Sequence, residues 1–234
     1  MADIPYIQKS DILNQDILFD FIYPNKEHNY YFSDKFEKEL YISLAKAGFI
    51  STSIFEDDIQ YLLPEIQFEY VVLEFKNLHI SKKVSKLLNK KDNYIFSINN
   101  HFNDVLNKIE SYHTPSWITK KYLELLQEIK QSETKNDNFK LLSVELYCAK
   151  TNKLVAGEIG YKINATYTSL SGFALKEKAY NNYGKLQMTL LSKYLEKNNY
   201  SFWNMGHPYM QYKKDIGATI LSREEFLNKW LKKV

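Results

Sequence analysis

The sequence has little of what several common classes of protein require. It contains 1 cysteine, Cys148, in 234 residues, so no intrachain disulfide can form and we expect a reducing compartment. Its neighbours Leu146 and Tyr147 are core-type residues, which makes Cys148 a small buried residue of a strand rather than a nucleophile. No uninterrupted apolar run approaches the roughly 20 residues that cross a bilayer, and residues 1–5 lack the basic start of a signal peptide. These absences predict a soluble, cytoplasmic protein.

The composition indicates neither a metal protein nor a dedicated nucleic-acid binder. The formal net charge is +3, which is only mildly basic. The 5 histidines are scattered along the chain, and with a single cysteine they form no zinc-type cluster, so we expect no bound metal. They are His28, His79, His101, His113 and His207. With 44% hydrophobic and 25% charged residues and no repeat, the chain is an ordinary globular protein.

Residues 1–90 are predicted to form a small N-terminal subdomain. Residues 1–30 show no clear periodicity, so we expect irregular structure there. Apolar residues at helical spacing follow Ser33, which is a good helix cap. A β-branched and aromatic run at residues 68–75 indicates a strand, and a short helix is expected to start at Ser81.

Residues 91–234 are predicted to form a larger domain. It begins with a strand at 94–98, followed by one helix capped by Asn99 or Asn100 and a second helix capped by Thr119. Three antiparallel strands are then expected at 141–149, 154–161 and about 165–173, the first two as a hairpin.

An amphipathic helix at 185–197, a strand at 200–204 and a final helix follow in the same domain. The final helix opens with the capping box of Ser222 and Glu225. A strand, two helices, three strands, a helix, a strand and a helix form an α+β order that matches the N-acetyltransferase-like (GNAT) class, a mixed sheet flanked by helices.

Several stretches resemble the leucyl/phenylalanyl-tRNA-protein transferase family and occur in that family's order. They are Leu78-His79-Ile80-Ser81 with the lysines that follow, Ser116-Trp117-Ile118-Thr119, Ser143-Val144-Glu145, Leu154-Val155-Ala156-Gly157 with Gly160-Tyr161, and then Phe173, Lys185 and Ile216-Gly217-Ala218. The resemblance implies an aminoacyltransferase that moves a leucine-like or phenylalanine-like residue from aminoacyl-tRNA to the N-terminal amine of an acceptor protein. It implies no cofactor beyond this co-substrate, and we expect a monomer.

The chain also departs from that family's pattern. Both tryptophans of the family's Trp-Trp-Ser-Pro segment are missing near Leu62-Leu63-Pro64, and its Gly-Glu-Ser-Met-Phe stretch becomes residues 169–173 without the acid. The family's Asp-x-Gln pair falls at Met205 and His207 in a gap-free register. One gap instead puts Asn204 and Gly206 there, and neither register restores the carboxylate.

The implied reaction attacks an ester that is already activated, so it requires positioning, oxyanion stabilisation and proton transfer. His207 is the residue of this loop that exchanges a proton near neutral pH most readily. Asn204 and Gln211 are candidate hydrogen-bond donors to the oxyanion. A surface or structural histidine remains the alternative.

The resemblance also implies binding residues. The candidate donor pocket consists of Trp117, Ile159, Tyr161, Leu170, Phe173 and Leu190, all of which are equally suited to an ordinary core. The candidate RNA contacts are Lys82, Lys83 and Lys86, with Lys213 and Lys214 at the acceptor end. A solvated helix face is the alternative meaning of the first three.

Two other functions stay open at this point. An acyl-CoA N-acyltransferase would use the same fold, but residues 180–185 lack the glycine-rich turn that binds pyrophosphate. A non-catalytic RNA-binding or peptide-binding module would explain the missing carboxylate and tryptophans.

Overall fold

A computed structural model describes residues 4–113, 115–135 and 137–234. Its helices are α1 Lys9–Leu13, α2 Lys38–Lys46, α3 Lys82–Leu88, α4 Phe102–Tyr112, α5 Lys120–Gln131, α6 Tyr183–Lys197, α7 Gln211–Asp215 and α8 Arg223–Trp230. Its strands are β1 Ile50–Glu56, β2 Ile59–Glu65, β3 Glu69–Leu73, β4 Tyr94–Ile98, β5 Phe139–Cys148, β6 Lys153–Ile163, β7 Thr166–Ala174, β8 Phe202–Asn204 and β9 Thr219–Ser222. Short 3₁₀ turns lie at Phe75–Asn77, Lys91–Asn93 and Lys178–Tyr180, and a π-helical turn spans Ile17–Ile22.

Seven strands form one mixed sheet in the order β4-β5-β6-β7-β8-β3-β9. Strands β5, β6 and β7 are an antiparallel meander, as the alternating apolar residues predict. The helix expected at 185–197 is α6, which follows the meander and packs on the sheet. The architecture is therefore α+β, with a large mixed sheet flanked by helices.

Strands β7 and β8 are parallel and pair over a short length only. The paired residues run from Thr166 with Phe202 to Thr168 with Asn204. Beyond that point β7 continues for six residues, to Ala174, with β6 as its paired neighbour. The sheet thus opens between β7 and β8 at Asn204.

The helices cover the large sheet from both sides. Helices α2, α4, α5 and α8 share one core with one face of the sheet and with the hairpin β1-β2. Helices α6 and α3 lie on the other face over two further clusters, one centred on Leu142, Val144 and Trp203 and the other on Leu146, Val155 and Leu186.

The N-terminal part differs most from the expectation. Residues 1–30 are not irregular throughout, because α1 and the π-helical turn bury Ile12, Leu18 and Ile22. Ser33 does not cap α2, since its backbone pairs with Leu62 and the helix begins five residues after it, following Glu37. The contact with β2 is tertiary, so helical spacing alone did not reveal it.

The hairpin β1-β2 was not predicted. Asp57 and Asp58 form its turn with φ of 50° and 62°, a left-handed conformation that Asp tolerates better than most residues. This is a turn signal that the sequence contained.

Cap residues were predicted with mixed success. Thr119 and Ser81 accept hydrogen bonds from Tyr122 N and Val84 N, and the capping box of Ser222 is formed. Asn99 and Asn100 do not cap α4, whose N-cap is His101. Asn99 adopts φ of 61° and its Oδ1 accepts from Ser143 N instead, so it joins β4 to β5.

Strand β3 lies before the expected domain boundary at residue 90, yet it belongs to the large sheet. It is hydrogen-bonded to β8 on one side and to β9 on the other. The buried Arg223 adds further ties, because its guanidinium donates to the carbonyls of Ile66 and Gln67 and of residues in the segment 22–25. The two predicted domains therefore share a sheet.

Candidate active site

The segment from the last residue of β8 to the residue that follows α7, residues 204–216, contains the three candidate catalytic residues together with Lys213 and Lys214, and we call it the site loop. It starts at Asn204, which is buried where β7 and β8 separate. Its Nδ2 donates to Thr168 Oγ1 over 3.4 Å, and its Oδ1 accepts from Gly206 N over 3.0 Å. Asn204 thereby fixes the direction in which the loop leaves the sheet.

His207 leaves the loop toward the end of β2 and contacts a buried carboxylate. Its Nε2 lies 3.5 Å from Oε1 of Glu65. Glu65 is itself held by Asn29, whose Nδ2 donates to Oε1 over 2.7 Å, and by Gln67, whose Nε2 donates to Oε2 over 3.3 Å. Burial, and then the nearby Glu65, raise the pKa of Tyr30 to about 12.

Lys213 points into the protein from α7, unlike the surface lysine that we expected at this position. It is 6% exposed, and its ammonium donates to Met205 O over 2.6 Å and to His207 O over 2.7 Å. Burial lowers its pKa to about 8, although the charge of Glu158 acts in the opposite direction. Lys213 therefore holds the site loop closed on itself.

Glu158 is a buried carboxylate on the α6 side of the sheet. Its Oε1 accepts from Tyr167 Oη over 3.0 Å and from Ser169 Oγ over 2.5 Å. The indole Nε1 of Trp203 donates to the same Ser169 oxygen over 2.7 Å. Burial raises the pKa of Glu158 despite these hydrogen bonds and the nearby Lys213.

A cavity of about 360 Å³ lies between α3, α6 and the end of the site loop. Its lining is His79, Ser81, Val84, Lys185, Thr189, Asp215 and Ile216. A salt bridge of 2.8 Å joins Lys185 to Asp215 across it. Residues from three separate sequence motifs, the segments at 78–81, 185 and 216–218, therefore meet around one cavity.

Gly217 explains why the last of these motifs contains glycine. Its φ is +95°, and a Cβ there would lie 1.9 Å from the carbonyl oxygen of Asn77. His79 N donates to Ile216 O over 2.8 Å beside this contact. Only glycine permits the backbone approach that forms the cavity wall.

The sequence model of the Leucyl/phenylalanyl-tRNA protein transferase family matches residues 72–231, which include the end of β3, strands β4 to β9 and the whole site loop. The chain belongs to this family. A relative named leucyl/phenylalanyl-tRNA–protein transferase, from Flavobacterium johnsoniae, is 28% identical over 165 residues, which cover 68% of this chain and 70% of the relative.

Two solved structures are similar to the chain at a lower level. L-PGS from Bacillus licheniformis superposes with a TM-score of 0.41 at 13% identity, over 82% of this chain and 50% of that one. A C-terminal DUF2156 domain from Agrobacterium fabrum gives 0.42 at 10% identity, over 74% of this chain and 53% of that one. The chain spans about half the length of each of these solved chains.

The apolar residues that family resemblance assigns to the donor pocket lie mainly on one face of the sheet. Ile159, Tyr161 and Phe173 are buried in the core shared with the hairpin β1-β2, and Trp117 and Leu170 pack against it. Leu190 lies on the other side, against the cluster beneath α6. Five of the six candidates thus belong to one core cluster.

Trp117 and Tyr161 are also tied to the segments around this hairpin. Ser53 of β1 donates from Oγ to Trp117 O over 2.6 Å, and Tyr161 Oη donates to Phe49 O over 3.2 Å. Glu65 lies at the end of the same hairpin, so the five grouped apolar residues and the Glu65–His207 contact share one side of the sheet.

The remaining candidates are on the surface. Lys82, Lys83 and Lys86 are exposed on α3 and form no ion pair within the described part of the chain. Lys214 is exposed on α7. Gln211 is exposed as well, and its Nε2 donates to Asp215 Oδ1 over 3.2 Å. Gln211 is therefore not brought together with Asn204 and His207.

Sequence reasoning overlooked Glu65 and Glu158. Glu158 stands between apolar residues and glycines in a buried strand, so its charge was a signal that the sequence offered. Glu65 follows the segment where the family's tryptophans are missing, and only its contact with His207 reveals its place. Glu145 of the Ser-x-Glu motif instead accepts hydrogen bonds from Ser97, Ser143 and His101 N and joins β4 to β5.

Within the described residues, no group of three or more His, Cys, Asp or Glu side chains is arranged to hold a metal ion. No helix among them has the length and apolar character needed to span a bilayer.

Proposed function

We propose that this protein transfers an amino acid from aminoacyl-tRNA to the N-terminal amine of an acceptor protein or peptide. The observation that carries the proposal is the meeting of separate family motifs around the cavity beside α3, within a chain that belongs to the family over residues 72–231. The site loop runs from this cavity to His207, so one segment links a binding surface to a proton-exchanging group.

In this proposal, the acceptor end of the tRNA lies along α3. Lys82, Lys83 and Lys86 supply mobile positive charge for the phosphates. A cavity of about 360 Å³ lies at the start of that helix, within the size range of small-ligand sites, and Lys185 adds a cation to its wall. The terminal nucleotide occupies this cavity.

We further propose that the fold is of the N-acetyltransferase-like class. Support comes from the parallel pair β7-β8, which is connected through α6 and separates after Thr168 and Asn204. A ligand bound near the start of α6 would reach the opposite side of the sheet through this opening. The aminoacyl ester takes that path toward His207 in our proposal.

The side chain of the donated amino acid is proposed to be apolar. Five candidate residues share one core on the hairpin side of the sheet: Trp117, Ile159, Tyr161, Leu170 and Phe173. An apolar side chain gains about 25 cal/mol for each Å² that it buries there. Leucine and phenylalanine fit this chemistry.

The reaction is proposed to need no metal or further cofactor. The ester is already activated, so positioning, oxyanion stabilisation and proton transfer suffice. Asn204 is positioned by Thr168 at the opening and is the proposed oxyanion or amine contact. We propose a monomer that acts in the cytoplasm.

The test is an incubation with tRNA charged with several amino acids and a peptide with a basic N-terminus, followed by mass spectrometry. The expected product is the peptide with one added leucine-like or phenylalanine-like residue. Controls are uncharged tRNA and the same peptide with an acetylated N-terminus. A peptide of unchanged mass with every charged tRNA would contradict the proposal and favour a binding module.

A further inference from the structure

The positions of the family's Asp-x-Gln pair hold no carboxylate in either register, but the fold brings one close to His207 from a distant part of the chain. Glu65 is at the end of β2 and His207 is in the loop after β8, yet their side chains are 3.5 Å apart. Glu65 is 6% exposed, whereas the His207 side chain is 37% exposed. A buried carboxylate thus lies beside a histidine whose side chain is partly exposed.

Glu65 is held in place independently of His207. Asn29 donates to the same Oε1 over 2.7 Å, and Gln67 donates to Oε2. The backbone of Glu65 is fixed by its pairing with Ile50 in the hairpin. A carboxylate held in this way orients the imidazole instead of following it.

The contact determines the chemistry of the two ring nitrogens. Nε2 of His207 lies 3.5 Å from Oε1 of Glu65, and a carboxylate only accepts hydrogen bonds, so the inferred pair has its proton on Nε2. In the neutral ring Nδ1 then has the free lone pair. Nδ1 is shielded from solvent and has no hydrogen-bond partner in the described part of the chain. A buried polar atom without a partner is unfavourable. A substrate N–H would supply the missing partner once the side chains that shield Nδ1 move aside.

We propose that Glu65 is the positioning residue of a carboxylate–histidine pair in which His207 is the general base and acid of the transfer. This inference rests on the proposed function. It supplies a carboxylate from β2 beside the loop positions where the family's Asp is missing. The apolar residues Trp117, Ile159, Tyr161, Leu170 and Phe173 lie on the same side of the sheet.

The step balances with the groups present. The neutral amine nitrogen attacks the ester carbonyl carbon, the C–N bond forms, and one proton passes from that nitrogen to Nδ1. The bond between the carbonyl carbon and the ribose oxygen then breaks, and the imidazolium returns the proton to that oxygen. Glu65 stays ionised throughout and stabilises the imidazolium.

Surrounding residues help to keep the pair fixed. The ring of Tyr209 lies over His207 with centroids 4.5 Å apart and an interplanar angle of 34°. Lys213 holds the backbone carbonyl of His207 over 2.7 Å. Both contacts leave the imidazole edge that carries Nδ1 without a competing hydrogen bond.

The test measures single-turnover transfer in His207→Ala, Glu65→Gln and the double variant. A general base contributes about a hundredfold or more, so His207→Ala should lose that much rate, with tRNA affinity near wild type. Glu65→Gln should lose about tenfold or more, and the double variant no more than His207→Ala, because the two residues act as one unit. Additive losses, or a Glu65→Gln loss confined to tRNA affinity, would overturn the pairing.

Glu74→Gln is the matched control. It removes a carboxylate that pairs with Lys229 and Lys76, outside the site loop, and should leave the rate at the wild-type value. Asn204→Ala tests the alternative alignment, in which Asn204 takes the place of the family's Asp. If Asn204→Ala slows transfer while His207→Ala does not, the proposed base is wrong.

A spectroscopic readout separates this inference from the function itself. The ¹⁵N signals of the His207 ring should show a protonated Nε2 and a bare Nδ1 in the wild type, and mixed tautomers in Glu65→Gln. A wild-type protein that shows this tautomer but transfers nothing contradicts only the proposed function. A protonated Nδ1 in the neutral wild-type ring overturns the pairing whether or not charged tRNA is consumed.

Discussion

Several residues of the site loop are positioned by backbone groups, as Lys213 illustrates. Its ammonium donates to two carbonyls of the loop, Met205 O and His207 O. In the sequence, Lys213 stands next to Lys214 and is predicted to be a surface cation like it. Burial, which composition does not encode, places this ammonium on the loop carbonyls, and the RNA contact expected of Lys213 stays a prediction.

The pH dependence of stability provides a test of the Lys213 environment. Its pKa of about 8 in the folded protein lies below the usual 10.5, so the unfolded chain binds more protons between these values. The contribution of Lys213 to the free energy of unfolding should therefore rise from pH 8 to 10.5. Urea titrations at pH 7.5 and 9.5 measure the free energy of unfolding of the wild type and of Lys213→Met. The difference, wild type minus variant, should be larger at pH 9.5 than at pH 7.5. A difference that stays constant or falls would contradict the buried lysine.

Gly217 provides a second prediction at this scale. In Gly217→Ala the new Cβ is placed on a backbone with φ of +95° and lies against the Asn77 oxygen. In Gly206→Ala the backbone φ is +71°, but the nearest atom to the new Cβ is Ile50 Cδ1, at 3.4 Å. Left-handed backbone costs about 1–2 kcal/mol in either variant, and overpacking adds about 1–3 kcal/mol at Gly217. Chemical denaturation should rank Gly217→Ala as less stable, and equal losses would rule out the close approach.

At the scale of elements, α3 combines a cap, a buried stripe and a charged surface. Ser81 caps it, Val84 is buried, and the lysines remain exposed. The sequence predicted this helix correctly because all of its determinants lie within one segment. It did not predict what the start of the helix faces, since the cavity wall also comes from α6 and the site loop.

The α3 lysines should control the salt dependence of tRNA binding. Replacing Lys82, Lys83 and Lys86 with Ala should weaken affinity and reduce the slope of log K against log salt by about 0.7–0.9 for each lost phosphate contact. The matched control replaces three exposed lysines elsewhere: Lys193, Lys197 and Lys232. Equal slopes for both triple variants in filter-binding titrations would assign the α3 cluster to solvation.

At the scale of the whole molecule, the two predicted domains depend on one another. Strand β3 comes from the first 90 residues and is inserted between β8 and β9. The core beneath α4 and α5 also includes residues of α2 and the hairpin β1-β2. A boundary drawn from composition cannot detect a strand that is contributed to a distant sheet.

Residues 91–234 should therefore not fold alone. A fragment without residues 1–90 lacks β3, which pairs with both β8 and β9, and it exposes apolar surface of the core. Near-ultraviolet circular dichroism should show loss of fixed tertiary packing relative to the full chain, with aggregation at micromolar concentration. A fragment with native-like packing and a cooperative unfolding transition would show that the first 90 residues are dispensable.

The sequence by itself determined the elements whose signals are local. The meander β5-β6-β7, helices α5 and α6, and the capping box of α8 follow from alternation, helical spacing and caps within short segments. It also carried the motifs that led to the family. Tertiary structure decided which residues meet: Glu65 with His207, Lys213 with the loop carbonyls, and motif residues around one cavity. These contacts join positions up to about 140 residues apart, where strand order and burial, rather than spacing along the chain, determine proximity.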